Sequence, residues 1–306
     1  MNRLSWTMKE FGWLGRRIRH VLTGNFGVDL EKYAGVGMIS DSDANEFVYK
    51  GLLGDSPFAI GKTGFSEIGF LACAQNEIYF NSRIHYYWTP SYITNINSLK
   101  ADNGLQRFYR VQMDSMNELD GIGTYDEMYM CDAILEMLPE IANIKIFCMD
   151  ILDANRGFMP QWTRALAGKK VLVVSPFYKE IEQQYKKRDL IWPDGRLPEF
   201  DLECVPSVWI RDNGGFFGSY KVLSDRIMPK DFDVALLSCG SLGIPLSADI
   251  KRSGRKAVHM GSMIHVLFGL KGKRWDDRGI YNEHWIRPGE DTKPAYADKL
   301  DGATYW

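Results

Sequence analysis

Asp233–Trp275 reads DVALLSCGSLGIPLSADIKRSGRKAVHMGSMIHVLFGLKGKRW. Its opening DVALLS, Asp233–Ser238, is a continuous apolar run of strand length, the signature of a parallel strand buried on both faces. The run breaks at Cys239-Gly240-Ser241-Leu242-Gly243 and passes into a helical stretch that reaches Ser253. A further strand, Lys256–Met260 (KAVHM), then meets Gly261 and a helix to about Leu270. Strand, glycine turn, helix and strand in that order make a βαβ unit with a right-handed crossover.

The same alternation extends upstream. Lys170–Ser175 (KVLVVS) is another fully apolar strand, followed by a polar helix at Tyr178–Arg188, a strand at Leu202–Val205 and a short helix at Tyr220–Met228. Earlier still, a helix is predicted at Asp41–Lys50, a short strand at Pro57–Gly61, a helix from about Phe65 to Ile78, a helix at Asp126–Leu138 and a strand at Lys145–Met149. Phe80–Arg110 is aromatic and gives no assignment, and Lys271–Trp306 is charged and aromatic with little periodicity. The fold class is therefore α/β, a Rossmann-like, mostly parallel sheet with helices on both faces. The expected organisation is a basic amphipathic helix and linker over residues 1–40, then one α/β domain over 41–306.

Composition narrows the function classes. The 306 residues are 45% hydrophobic and 25% charged, ordinary for a globular chain. With 37 basic and 39 acidic side chains the net charge is -2, so no global attraction for nucleic acid is expected. Cys73, Cys131, Cys148, Cys204 and Cys239 are odd in number and contain no C-x-x-C pair, which argues against a zinc ribbon or a disulfide framework and for a reducing compartment. No stretch approaches the roughly 20 apolar residues of a membrane span. No apolar signal-peptide core is present at the start, so the expected location is cytoplasmic, with peripheral contact at the inner face of the membrane. That contact is suggested by residues 1–22, where Arg3, Lys9, Arg16, Arg17 and Arg19 outnumber Glu10. Phe11, Leu14, Ile18 and Val21 recur there at helical spacing, beside Trp6 and Trp13. The alternative is a helix packed on its own domain.

Candidate site residues gather where strands end. Gly61-Lys62-Thr63 imitates the end of a Walker A loop, but the earlier glycine falls at Ser56, so an ATP loop is rejected. Gly61, Lys62 and Gly64 form instead a strand-end turn before a helix, with Glu67 in the first helical turn, as either a helix-dipole carboxylate or a functional one. Gly240, Ser241 and Gly243 offer a backbone turn to a phosphate, or tight packing alone. A full G-x-G-x-x-G is absent, so a dinucleotide site is unsupported. His259, Gly261 and Ser262 form another strand end, with His259 in the cleft or in the core. Ser175 ends KVLVVS at the same edge. Arg274, in the basic run Lys271–Arg274, is placed to grip a diphosphate or to lie in a solvated loop.

These residues resemble a family. Asp233–Trp275, the tail motif NEHWIRP (Asn282–Pro288) and the final Tyr305-Trp306 are similar to proteins of bacterial surface-polysaccharide clusters. The order of strand, glycine turn, helix, strand, His and Gly also resembles glycosyltransferases of the GT-D fold. Those enzymes carry G-R-F-G-D-G-E, whose Asp-x-Glu holds a divalent metal and the nucleotide-sugar donor. The matching stretch here is Gly61-Lys-Thr-Gly-Phe-Ser-Glu67, with Phe65 in the place of the aspartate. The resemblance implies transfer from a nucleotide sugar, of the uridine diphosphate type, to a glycan or lipid-linked acceptor. It implies Glu67 as base or metal ligand and manganese or magnesium as the metal. Two other readings stand beside it: a pyruvyl-type glycan transferase, and a non-catalytic scaffold of a glycan-assembly complex, which the loss of the aspartate favours. If residues 1–22 lie on membranes, the full chain pellets with anionic liposomes and a chain lacking them does not; equal pelleting means that the helix packs internally.

Overall fold

The computed structural model describes residues 38–64, 67, 71, 104–124, 144–158, 161–299 and 301–306. The basic amphipathic segment 1–22, the helix expected at Asp126–Leu138 and most of the one expected at Phe65–Ile78 lie outside these residues. Glu67 and Leu71 of the latter are helical.

Seven parallel strands form one sheet: β1 (Phe58–Lys62), β2 (Gly121–Thr124), β3 (Lys145–Cys148), β4 (Lys170–Ser175), β5 (Asp201–Pro206), β6 (Val234–Leu237) and β7 (Lys256–His259). Their spatial order is β3-β2-β1-β7-β6-β4-β5. The continuous apolar runs follow from burial on two sides, because successive side chains of a strand point to opposite faces. Leu172, Val174, Ala235, Leu237 and Ala257 enter one hydrophobic layer, and Val171, Val173, Val234, Leu236 and Val258 the other.

The first layer holds α2 (Gly104–Glu118), α5 (Phe216–Ile227) and α6 (Gly243–Arg252), through Phe108, Leu223 and Leu246 among others. The second holds α1 (Asp41–Leu53), α3 (Tyr178–Tyr185), α4 (Arg188–Ile191) and α7 (Met263–Leu267). α2, α5 and α6 lead into strands that lie toward the β3 edge, whereas α3 and α4 lead outward to β5. Opposite directions of travel on opposite faces are what a single crossover hand requires. α1 starts at Ser40, whose Oγ accepts from the Asp43 N–H at 3.2 Å, and Asp41 and Asp43 favour the dipole of its first turn.

Several boundaries differ from expectation. The helix expected at Tyr220–Met228 starts at Phe216, behind Gly215 at φ 86°. The long polar helix after β4 divides into α3 and α4. α2 begins inside the unassigned aromatic region and runs past its end to Glu118, and β2 (Gly-Ile-Gly-Thr) was not predicted as a strand. Glycine is a poor strand former, but here it admits a neighbour: a Cβ on Gly121 would lie 2.9 Å from the Phe147 ring. The aperiodic tail is not a loose appendage. It folds as short 3-10 turns and the extended segments between them, and its Trp275, Trp285 and Trp306 are buried in the second layer. Trp306 meets Phe177 edge-on at 5.4 Å and Trp209 at 5.9 Å.

Candidate functional site

Because all strands run the same way, Lys62, Thr124, Cys148, Ser175, Pro206, Leu237 and His259 end them at one edge. Leu237 pairs with His259 and Val174 with Leu237, so the turns after β4, β6 and β7 leave the sheet at one height. Open parallel sheets bind ligands outside this edge.

The turn after β1 contains buried Thr63, whose N–H donates to the Gly123 carbonyl at 2.9 Å. The Glu67 carboxylate folds back against the α-carbon of Gly64, where any side chain would displace it. In the turn after β4, Ser175 is buried and its Oγ accepts from the Phe177 N–H at 3.1 Å. In the turn after β6, Gly240 is exposed at φ 56°, and a Cβ on it would meet nothing within 4 Å. Its backbone is therefore open to a ligand. Ser241 is buried, and its carbonyl accepts from Gln112 Nε2 at 2.8 Å.

The turn after β7 is tied back to β6: the N–H groups of Met260 and Gly261 both reach the Leu237 carbonyl, at 3.0 and 3.2 Å. Gly261 is also left-handed at φ 56°, and the end of the Lys62 side chain lies across it. A Cβ on Gly261 would stand 3.1 Å from Lys62 Nζ and still closer to Cε. The next residue, Ser262, accepts at Oγ from Arg274 Nη1 at 3.0 Å. The Arg274 guanidinium also lies 5.4 Å from the centre of the Tyr305 ring, within cation–π range.

Not every residue singled out from sequence faces this edge. Gly61 is glycine because α6 approaches it: a Cβ there would lie 3.1 Å from Ile244 Cγ1. Gly243 is glycine because the His259 ring packs against its α-carbon. His259 is 2% exposed and sits beneath the turns, with neither ring nitrogen in a hydrogen bond. Burial, reinforced by the Lys62 ammonium, pushes its pKa down to about 3. His265 is also pushed to about 3, by burial and then by Arg274. It is surrounded by Phe177, Trp275 and Tyr305, with ring centres 4.6, 5.3 and 5.5 Å away.

Sequence reasoning missed Gln112, which supports the Ser241 carbonyl from α2, and Thr124, whose buried Oγ1 has no hydrogen-bond partner. Neither carries a local signal, since both matter only through chain neighbours far away in sequence. Phe65 stands in the sequence where the resembled motif has its aspartate, and among the described residues no three His, Cys, Asp or Glu side chains converge. No described helix is long and apolar enough to cross a membrane.

No family model and no curated protein matches this chain. It is similar to a selenomethionine-substituted structure of domain of unknown function 1792, at 11% identity and TM-score 0.44, over 82% of this chain and 86% of that one. It is also similar to a structure of the same domain described as having a distinct glycosyltransferase fold, at 10% identity and TM-score 0.45, over 86% of this chain and 95% of that one.

The buried histidines set a pH dependence. Their folded pKa values lie below the ordinary 6.5, so between 6.5 and about 3 the unfolded chain binds protons that the folded chain refuses. Stability therefore falls as pH drops through that window, by about 2 kcal/mol per histidine between about pH 7 and about pH 5. In urea unfolding, His265→Phe, which keeps an aromatic ring in the cage, should show a pH loss smaller than wild type by about that amount. An unchanged loss would mean that His265 is not held neutral.

Proposed function

We propose that the chain is a glycosyltransferase that moves a sugar from a nucleotide-sugar donor to a glycan or lipid-linked acceptor. The observation that carries the reading is the convergence of the strand-end turns with Lys62 and Arg274 at one carboxyl edge of a parallel sheet. Backbone N–H groups at Gly240 and the start of α6, together with the two cations, suit a diphosphate. The failed Walker spacing at Ser56 speaks against adenosine triphosphate, and a uridine diphosphate donor is the working choice.

In the reaction, an acceptor hydroxyl oxygen bonds to the anomeric carbon of the donor sugar. The bond from that carbon to the diphosphate oxygen breaks, and its electron pair leaves with the nucleoside diphosphate. The hydroxyl proton passes to Glu67, the carboxylate beside the first turn. The charge that develops on the departing diphosphate meets donors already in place, the condition under which electrostatic stabilisation is effective. A cytoplasmic location, with residues 1–22 against an anionic membrane, would bring a lipid-linked acceptor within reach.

Ligand that binds only the folded state stabilises it by about 2.7 kcal/mol at a hundredfold excess over Kd, which for a chain of this size raises Tm by about 4 °C. Uridine diphosphate should produce that rise and adenosine triphosphate a smaller one. Glu67→Gln should keep the rise and lose transfer by about 100-fold or more, the usual contribution of a general base. A Tm unmoved by every nucleoside diphosphate and nucleotide sugar at millimolar level would sink the donor reading. Transfer by the glutamine variant at the wild-type rate would leave Glu67 as a first-turn carboxylate only.

A further inference from the structure

We infer that fixed cationic side chains, Lys62 and Arg274, do for the donor's diphosphate what a divalent metal does in enzymes with an Asp-x-Glu pair. The inference rests on the donor reading above and adds to it how the charge is neutralised.

The first ground is the chemistry of the turn after β1. Magnesium and manganese prefer octahedral oxygen coordination, which one or two carboxylates supply together with phosphate oxygens and water. The sequence has Phe65 at the position where the resembled motif has its aspartate, and Glu67 is turned back onto Gly64. A motif with one of its two carboxylates replaced by an apolar residue is a poor ligand set.

The second ground is the position of Lys62. It ends β1, and its side chain crosses to the neighbouring turn after β7. That path exists because Gly261 has no side chain and takes a left-handed φ of 56°. A Cβ there would displace the end of the Lys62 side chain, and the left-handed φ itself disfavours any other residue, so glycine leaves the path across the turn open to the ammonium. An ammonium so placed attracts the same phosphate oxygens as a metal ion would and repels the metal ion itself.

The third ground is Arg274, which meets the chain at the very next residue. It donates to Ser262 Oγ, lies over the Tyr305 ring, and its own N–H donates to the Thr304 carbonyl at 3.3 Å. The α-carbons of Gly261 and Ser262 are about 3.8 Å apart, so both cations serve one small region. One is a point charge and the other a planar fork suited to two phosphate oxygens. A nucleotide sugar carries one negative charge on each of its two phosphates, and two cations match them. His259 beneath them is buried and contributes no charge.

The test is calorimetric titration of the full chain with uridine diphosphate and, separately, with inorganic pyrophosphate, each in EDTA and in manganese chloride. Wild type should bind both ligands in EDTA, with affinities within about threefold of those in manganese. Lys62→Met and Arg274→Gln should each weaken binding in EDTA by about tenfold or more, the value of a charge-assisted hydrogen bond. Lys62→Arg should recover most of the loss. Arg274 is exposed, so its variant keeps the test decisive if Lys62→Met fails to fold. Binding that requires manganese, or that survives both substitutions, overturns the inference while leaving the donor reading intact. Lys62-dependent pyrophosphate binding in EDTA, with no consumption of any nucleotide sugar, upholds the cation pair and removes the donor reading. No binding of either ligand removes both.

Discussion

The ring of His259 lies against the α-carbon of Gly243, and the geometry of the whole carboxyl edge depends on that contact. It fixes how closely α6 sits on β7, while Gly61 admits Ile244 from the same helix onto β1. A Cβ at Gly243 would overlap the His259 ring, so a larger residue there forces the ring or α6 to move, whereas at Gly61 it would ask only a few tenths of an ångström of the Ile244 side chain. The contact also has an electrostatic consequence. An imidazole wedged between backbone and strand, without a hydrogen bond, is stable only as the neutral form.

A second dependency runs through the C-terminal segment. Its three buried tryptophans complete the layer opposite α6, and the same segment delivers Arg274 and Tyr305 to Ser262. Core and site are thus coupled. The aromatic packing of Phe177, His265, Trp275, Tyr305 and Trp306 holds the platform on which the guanidinium rests. Arg274 is exposed and would otherwise sample many rotamers at an entropic cost to any ligand it meets. A partner on each side of its guanidinium reduces that cost before binding.

The legibility of these features in the sequence follows their range. KVLVVS and DVALLS were readable as strands because burial on both faces writes a continuous apolar run, and the turns after β6 and β7 because glycine marks the left-handed positions, Gly240 and Gly261, both at φ 56°. β2 was invisible. Its glycines serve Phe147 on the adjacent strand, a requirement that local propensity does not express. The tail was unreadable for a similar reason, since short 3-10 turns impose no helical or strand period on the residues they bury.

The sequence by itself determined a parallel α/β sheet and the clustering of glycine, serine and basic residues at strand ends, because period, composition and turn chemistry are local properties. Only the tertiary structure decided the roles within that cluster. It separated Gly61 and Gly243, which yield to Ile244 and His259, from Gly240, which lies open, and from Gly261, which carries Lys62. It set His259 beneath the site and brought Arg274 to Ser262. The physical reason is that a glycine's role depends on the atom that occupies the space of its missing side chain, and that atom comes from a distant part of the chain.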